Sequence, residues 1–429
     1  MVRLLTMLLI SMVVSGYYFP FSFSVLPQLN TKMALAMLGI ALVAYQGFQK
    51  HRITFSRDLL GAIVFAFIFS FICFVAADYN HTDDYSYVTY FVSFFTWLGG
   101  AYVVCYVIRA FHGKATLNLL IAYSAFVCVS QCILAILIDR FSAFRALVDT
   151  YISQGQEFFQ EVGRLYGIGA ALDPAGVRFS IVLLLIVYLL CEDEGVKQVR
   201  WKTFACLFAF FVIAVIGNMI SRTTSVGLFL GIVYLICSTG IFRLVIKGRY
   251  IRLYSILGGM LIVFTMLSVY LYNNDPFFYK NIRFAFEAFF NWVETGELRT
   301  DSTDKLNTMM WVWPEDVKSW IIGTGLFANF VYSTDIGYCR FILYCGLIGF
   351  GTFVLFFVYN ACVFAWKFPS FRLFSFVLLS LSFIIWMKVA TDLFFIYALF
   401  YCLDWKMEPV LIEAVSYTHL RAHETAANL

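Results

Sequence analysis

The residues of this chain with most chemistry to offer are arginines placed where apolar runs begin. Arg222 lies in Gly217-Asn218-Met219-Ile220-Ser221-Arg222-Thr223-Thr224-Ser225, a tight connection between two such runs. A guanidinium at a membrane boundary is costly unless an anion or backbone carbonyls receive it. Thr223, Thr224 and Ser225 open the following helix, whose free N–H groups also favour an anion. Cation and helix start coincide, so an anion site is expected there; the ordinary alternative is a side chain reaching to lipid headgroups. Arg164 and Arg178 bracket Arg164-Leu165-Tyr166-Gly167-Ile168-Gly169-Ala170-Ala171-Leu172-Asp173-Pro174-Ala175-Gly176-Val177-Arg178. Its glycines and proline read as a turn-rich approach to the next helix, with Arg178 at the start of that helix. An interfacial anchor explains that pair equally well.

A third group is Asp335, Tyr338 and Arg340, in and just after Ser333-Thr334-Asp335-Ile336-Gly337-Tyr338. Carboxylate, phenol and guanidinium where a loop re-enters the membrane suit a polar, anionic lipid head. Asp335 would also serve simply as N-cap of the helix that follows, and the two roles can coexist. Soluble-enzyme signatures are absent: no P-loop, no G-x-G-x-x-G, no HExxH and no G-x-S-x-G. Of the 5 histidines, two are in the C-terminal tail and His51 and His112 lie on the cytoplasmic side, so a histidine-based mechanism would have to use His81, in a short outer loop. The 11 cysteines are scattered and mostly inside apolar runs, so they read as small helix residues and not as metal ligands or disulfides.

These residues need elements to hold them, and composition says which. Of 429 residues, 62% are hydrophobic and 13% charged, and the mean hydropathy is +0.83. A soluble domain carries about 25% charged residues, so most of this chain has no water to face. Its apolar runs are continuous over roughly 17–25 residues, which makes them helices and not barrel strands. The spans fall near 3–19, 32–48, 59–77, 86–108, 115–138, 179–191, 203–220, 225–242, 253–272, 338–365, 373–388 and 393–403; of these 179–191 is short unless it extends, and 393–403 either spans or only dips in. The expected fold is an all-α polytopic membrane protein of about 12 transmembrane helices. A single integral membrane domain covers 1–413.

Lysine and arginine in the short connections orient it. Alternate connections carry Lys50, Arg52 and Arg57; Arg109 and Lys114; Lys197, Arg200 and Lys202; Arg243, Lys247, Arg249 and Arg252; Lys367 and Arg372. These belong inside, and the N-terminus with them, on an uncleaved first span. Two long connections, about 139–178 and 273–337, then lie outside. Each is expected to bear short amphipathic helices. In the second, Ile282, Phe286, Phe289, Phe290 and Val293 line one face and Arg283, Glu287 and Asn291 the other. Such a helix suits the membrane interface or the top of the bundle. The first has a similar helix around Tyr151–Val162. Net charge is +4, without a basic cluster away from helix ends, so nucleic acid is no partner. Residues 414–429 include Ser416-Tyr417-Thr418-His419-Leu420-Arg421-Ala422-His423-Glu424-Thr425, which fits nothing before it and reads as a non-native tail.

Trp311-Val312-Trp313-Pro314-Glu315-Asp316-Val317-Lys318-Ser319-Trp320-Ile321-Ile322-Gly323-Thr324-Gly325, followed by Thr334-Asp335-Ile336-Gly337-Tyr338-x-Arg340 and Gly346-Leu347-Ile348-Gly349, resembles Wzy-type O-antigen and exopolysaccharide repeat-unit polymerases. The Arg164–Arg178 segment looks like the matching first-loop motif, and long loops after the fifth and ninth spans follow the same layout. The resemblance implies a glycosyltransferase of the bacterial cytoplasmic (inner) membrane that joins oligosaccharide repeat units carried on undecaprenyl pyrophosphate. It implies pyrophosphate held by Arg222, Arg178 and Arg340, with Arg164, Arg283, Arg299 and Tyr338 in support, and Asp335 as base. No cofactor is expected, although Mg²⁺ can accompany a diphosphate. Expected partners are the lipid-linked oligosaccharide, membrane lipids, a chain-length regulator and a flippase. Related O-antigen ligases, which transfer lipid-linked glycan to lipid A-core, usually carry a histidine in the second loop; residues 273–337 have none. A transporter or flippase would instead show broken helices and buried charges near the midplane.

Overall fold

Backbone polar groups in hydrocarbon must be paired within their own segment, and this chain satisfies them with helices. A computed structural model describes residues 2–51, 56–239, 248–328 and 331–405. Arg52, Arg243, Lys247 and the tail 414–429 lie outside them. Among the described residues, 9 helices are long and apolar enough to cross a membrane: Thr31–Gln49, Arg57–Tyr79, Tyr90–His112, Leu117–Arg140, Leu172–Glu192, Arg200–Ile220, Tyr250–Asn274, Gly337–Lys367 and Pro369–Trp386. Shorter apolar helices, Arg3–Tyr18 and Thr224–Thr239, fall on two further expected segments. Phe394–Cys402 falls on the last one. At 1.5 Å per residue it is about 14 Å long, and most of its side chains are buried. The chain is an all-α, multi-pass membrane protein.

The helices pack through large aromatics and close glycine contacts. Phe69 stacks on Phe353 at 4.6 Å and Phe94 on Phe394 at 4.4 Å, which joins four helices into one core. A Cβ on Gly227 would stand 2.2 Å from the Ser180 Cα, so Thr224–Thr239 and Leu172–Glu192 touch backbone to backbone. Leu172–Glu192 is the innermost helix, with 89% of its most apolar stretch buried.

Polar contacts sort the connections onto two ends. Lys367 pairs with Asp58, Arg109 with Asp404, Asn118 with Asp193, and Arg252 donates to the Gln198 carbonyl. All of these join the short basic connections. At the other end Arg140 pairs with Asp275 and Arg222 with Glu287, linking the two long loops and the tight connection. A three-stranded sheet there ties Ser22–Phe23 and Leu26–Asn30 to Ile152–Ser153 of the first long loop.

Four expectations need correction. The helix placed at 179–191 begins at Leu172, because Pro174 sits in its first turn, where no N–H partner is required. Arg178 is therefore two turns inside it and not at its start. The amphipathic helix of the second loop is two helices, Pro276–Ala285 and Glu287–Thr295, broken at Phe286 (φ −116°, ψ 31°). That of the first loop is also two, Ser142–Tyr151 and Gln156–Glu161, separated by the extended pair and Gly155 at φ +78°. Asp335 does not cap the helix after it: Ile336 is the N-cap residue, without a side-chain cap bond. Thr334 accepts from the Ile336 N–H at 3.2 Å instead.

Gly337–Lys367 is interrupted at Gly346 (φ +65°, ψ −176°), a conformation that glycine adopts without strain. A Cβ there would fall 2.1 Å from the Ile321 carbonyl oxygen. The break frees two carbonyls, and the loop supplies donors for them. Thr324 N–H reaches Leu343 at 2.6 Å and Gly325 N–H reaches Tyr344 at 3.0 Å. The Gly323-Thr324-Gly325 and Gly346-Leu347-Ile348-Gly349 motifs are thus two sides of one contact.

Candidate functional site

Arg164 and Arg222, far apart in sequence, converge on one ring. Their guanidinium carbons lie 3.9 Å and 4.1 Å from the centroid of Phe284, in the first helix of the second long loop. Together with Lys280, Asn281, Met219, Ser302 and Lys305 they line a cavity of about 370 Å³ at the long-loop end of the bundle. Burial, and then the charge of Arg222, lower the Arg164 pKa from its ordinary value. Crowding two cations this way is unfavourable unless negative charge compensates.

Part of that compensation is already present. Glu287 Oε2 stands 2.6 Å from Arg222, with the two side chains 18% and 20% exposed. The other oxygen of Glu287 accepts from the Asp301 N–H at 3.0 Å. Asp301 is the carboxylate that lines the cavity, so Arg164, Arg222, Lys280 and Lys305 face Asp301 and Glu287. The balance is cationic. Arg222 also donates to Ser302 Oγ at 3.4 Å. Such a site can take a small polyanion, through guanidinium hydrogen bonds that match phosphate oxygens.

A second layer lies against the first. Lys388 Nζ donates to Asp173 Oδ1 at 2.8 Å and to Thr223 Oγ1 at 2.9 Å. Ser221 donates to the same carboxylate oxygen at 3.2 Å. Asp173 comes from the first-loop motif, Ser221 and Thr223 flank Arg222, and Lys388 follows Trp386, so this network fixes the connection carrying Arg222. Lys388 is visible in the sequence as a charge near the outer end of an apolar run, but its partners Asp173 and Thr223 are 215 and 165 positions away, so the pairing is not.

The remaining expected residues stand elsewhere. Arg178 donates to the Pro174 carbonyl at 2.6 Å, lies 5.3 Å from the Phe395 centroid, and keeps its Nε buried without a hydrogen-bond partner. It shares a charged cluster with Asp392 and Lys32. Arg340 donates to the Phe327 carbonyl at 2.7 Å and covers that ring at 3.9 Å. Tyr338 turns into the bundle and donates to the Phe383 carbonyl at 2.9 Å. Arg283 pairs with Glu294, and Arg299 with Glu297 and Asp304. Asp335 is exposed. Its loop is held through Thr334, which donates to the Met310 carbonyl at 2.5 Å, just beyond the Asp301–Met309 helix that carries Ser302 and Lys305.

Asp84, in the short connection 80–89, organises the loop around Arg340. It accepts from the N–H groups of Phe327, Ala328 and Ser86. Burial pushes its carboxyl upward, but these bonds and the Ser86 hydroxyl prevail and hold it below the usual carboxylate range. Among the described residues there is no group of three or more His, Cys, Asp or Glu that could hold a metal ion. All 11 cysteines are free. No family model, no curated protein and no solved structure matches this chain.

Proposed function

We propose that this protein is a membrane glycosyltransferase that polymerises oligosaccharide repeat units carried on undecaprenyl pyrophosphate, for O-antigen, capsule or exopolysaccharide synthesis. The observation that carries the reading is the convergence of Arg164 and Arg222 on Phe284, beside Lys280 and Lys305, in a cavity large enough for a diphosphate. In this reading the long-loop end faces outward from the bacterial inner membrane, the N-terminus is cytoplasmic, and about twelve segments enter the bilayer.

The chemistry is a substitution at the anomeric carbon. An acceptor hydroxyl oxygen attacks that carbon, a new C–O bond forms, and the bond to the lipid diphosphate breaks with its electron pair leaving on the diphosphate oxygen. The acceptor proton passes to a carboxylate within hydrogen-bond reach; the family resemblance gives that role to Asp335, which does not line the cavity and would have to be brought to the acceptor by its loop. Cations fixed around the departing diphosphate stabilise the charge that develops there. Arg222 and Arg164 fill that role, with Glu287 holding Arg222 when no anion is bound. Arg178 and Arg340 remain candidates for holding further parts of the lipid-linked substrates. The donor is already activated, so no sugar nucleotide is needed.

A lipid-glycan transporter is the second reading, favoured by the helix break at Gly346 and the charged cluster of Arg178, Asp392 and Lys32. The two separate in a polymerase-null bacterium carrying the cognate biosynthetic genes. Polymerisation predicts a restored glycan ladder, reduced to single repeats by Arg222→Ala at equal protein level. Long lipid-linked chains present without this protein would refute it, pointing to ligation or to a role outside chain growth.

A further inference from the structure

The helix Glu287–Thr295 exposes large apolar side chains while its polar ones are paired within the protein. The polar pairings are Glu287 with Arg222, Asn291 donating to the Arg299 carbonyl at 2.8 Å, and Glu294, itself 49% exposed, with Arg283. Apart from Phe290, the large apolar residues of the helix turn away from the protein. Phe289, Trp292 and Val293 are 55%, 51% and 64% exposed, and no residue of the helix is buried. In water this arrangement would leave a contiguous aromatic and aliphatic face unsatisfied.

The height of the helix is set by its neighbour. Phe290 stacks on Tyr272 with centroids 5.5 Å apart and planes 11° from parallel. Tyr272 lies in the last turn of the apolar helix that ends at Asn274. The same helix exposes Met266, Val269 and Tyr270 below that point, a surface suited only to lipid. The exposed face of Glu287–Thr295 therefore continues the lipid-facing surface of a span, at the level where the span ends. Tryptophan and phenylalanine are the side chains that settle at this level of a bilayer.

We infer that Glu287–Thr295 is seated in the headgroup layer of the surrounding phospholipid bilayer, with Phe289, Trp292 and Val293 inserted. The seat fixes where Glu287 stands opposite Arg222, so the wall of the cationic cavity is held by the membrane as well as by the protein. This holds whatever reaction the cavity serves.

The test places a photoreactive benzoylphenylalanine at Val293 in the full chain, reconstituted in nanodiscs of phosphatidylethanolamine and phosphatidylglycerol. The same residue at Met266 reports on the span. Irradiation should give phospholipid adducts at both positions, read by mass spectrometry. An adduct at Met266 with none at Val293 overturns the seat, as does a Val293 cross-link to a second copy of the chain. No adduct at either position overturns the lipid-facing assignment of the whole surface.

Discussion

Glu287→Gln removes one charge from the cationic cavity and one of the two acceptor oxygens that Glu287 uses there. Glutamine keeps the shape of the side chain but has one acceptor oxygen where Glu287 uses two, so it can accept from Arg222 or from the Asp301 N–H and not as Glu287 does from both. What is lost is the ion pair that any incoming anion must displace. An exposed pair contributes about 0.2–1 kcal/mol, and breaking a fully buried one costs about 3–5 kcal/mol. With its members 20% and 18% exposed, this pair lies between, on the order of 1–2 kcal/mol. Releasing Arg222 should therefore tighten binding of inorganic pyrophosphate roughly 5- to 30-fold. Removing a negative charge beside the anion acts in the same direction. The assay is a calorimetric titration of pyrophosphate into the protein in nanodiscs, with the melting transition of each variant recorded alongside. Unchanged or weaker binding by a Glu287→Gln protein that melts normally would refute the view that Glu287 occupies the place of the ligand.

Arg222→Lys keeps the charge but loses the two-pronged geometry and the stacking on Phe284, so pyrophosphate affinity should fall about tenfold; equal affinity would remove Arg222 from the site. Gly346→Ala forces a side chain into a positive-φ extended conformation (φ +65°, ψ −176°) that is essentially confined to glycine, a cost of about 1–3 kcal/mol before any clash is counted. Its Cβ would also meet the Ile321 carbonyl at 2.1 Å, so its melting temperature should drop clearly, whereas Gly351→Ala, with open space around it, should melt like the wild type. Asp84 has a folded pKa below its unfolded value of about 3.9, so its contribution is complete above that value and is lost as pH falls through the folded one. Thermal scans should show a smaller acid-side loss in Asp84→Asn than in the wild type, because Asp275 and Asp404 are also held low, and Asp84→Asn should be less stable at neutral pH.

The helical architecture was legible because hydrocarbon leaves an unpaired backbone no alternative, so each long apolar run had one reading. Its irregularities were not. Asp173-Pro174 resembles a loop in sequence, yet a proline in a first helical turn costs nothing, and the helix absorbed the segment meant to lead into it. The chain break at Gly346 is hidden inside an unbroken apolar run; its cause is a loop twenty positions earlier that supplies Thr324 and Gly325 as donors. Arg164 and Arg222 were visible as arginines in suggestive places, but their meeting depends on Phe284, which reads as one more apolar residue of an amphipathic helix. Lys280, Lys305 and Glu287 join the site for the same reason. Arg340 and Tyr338, neighbours in one motif, point to different partners because the helix turns them apart.

The most direct measurement reconstitutes the purified protein in proteoliposomes with one lipid-diphosphate-linked repeat unit and follows the lipid products over time. Polymerisation predicts lipid-linked dimers and longer chains, together with one free undecaprenyl pyrophosphate for each new glycosidic bond, and loss of both products in Arg164→Ala and Arg222→Ala. Substrate that remains monomeric, or that moves intact from one leaflet to the other, would contradict it.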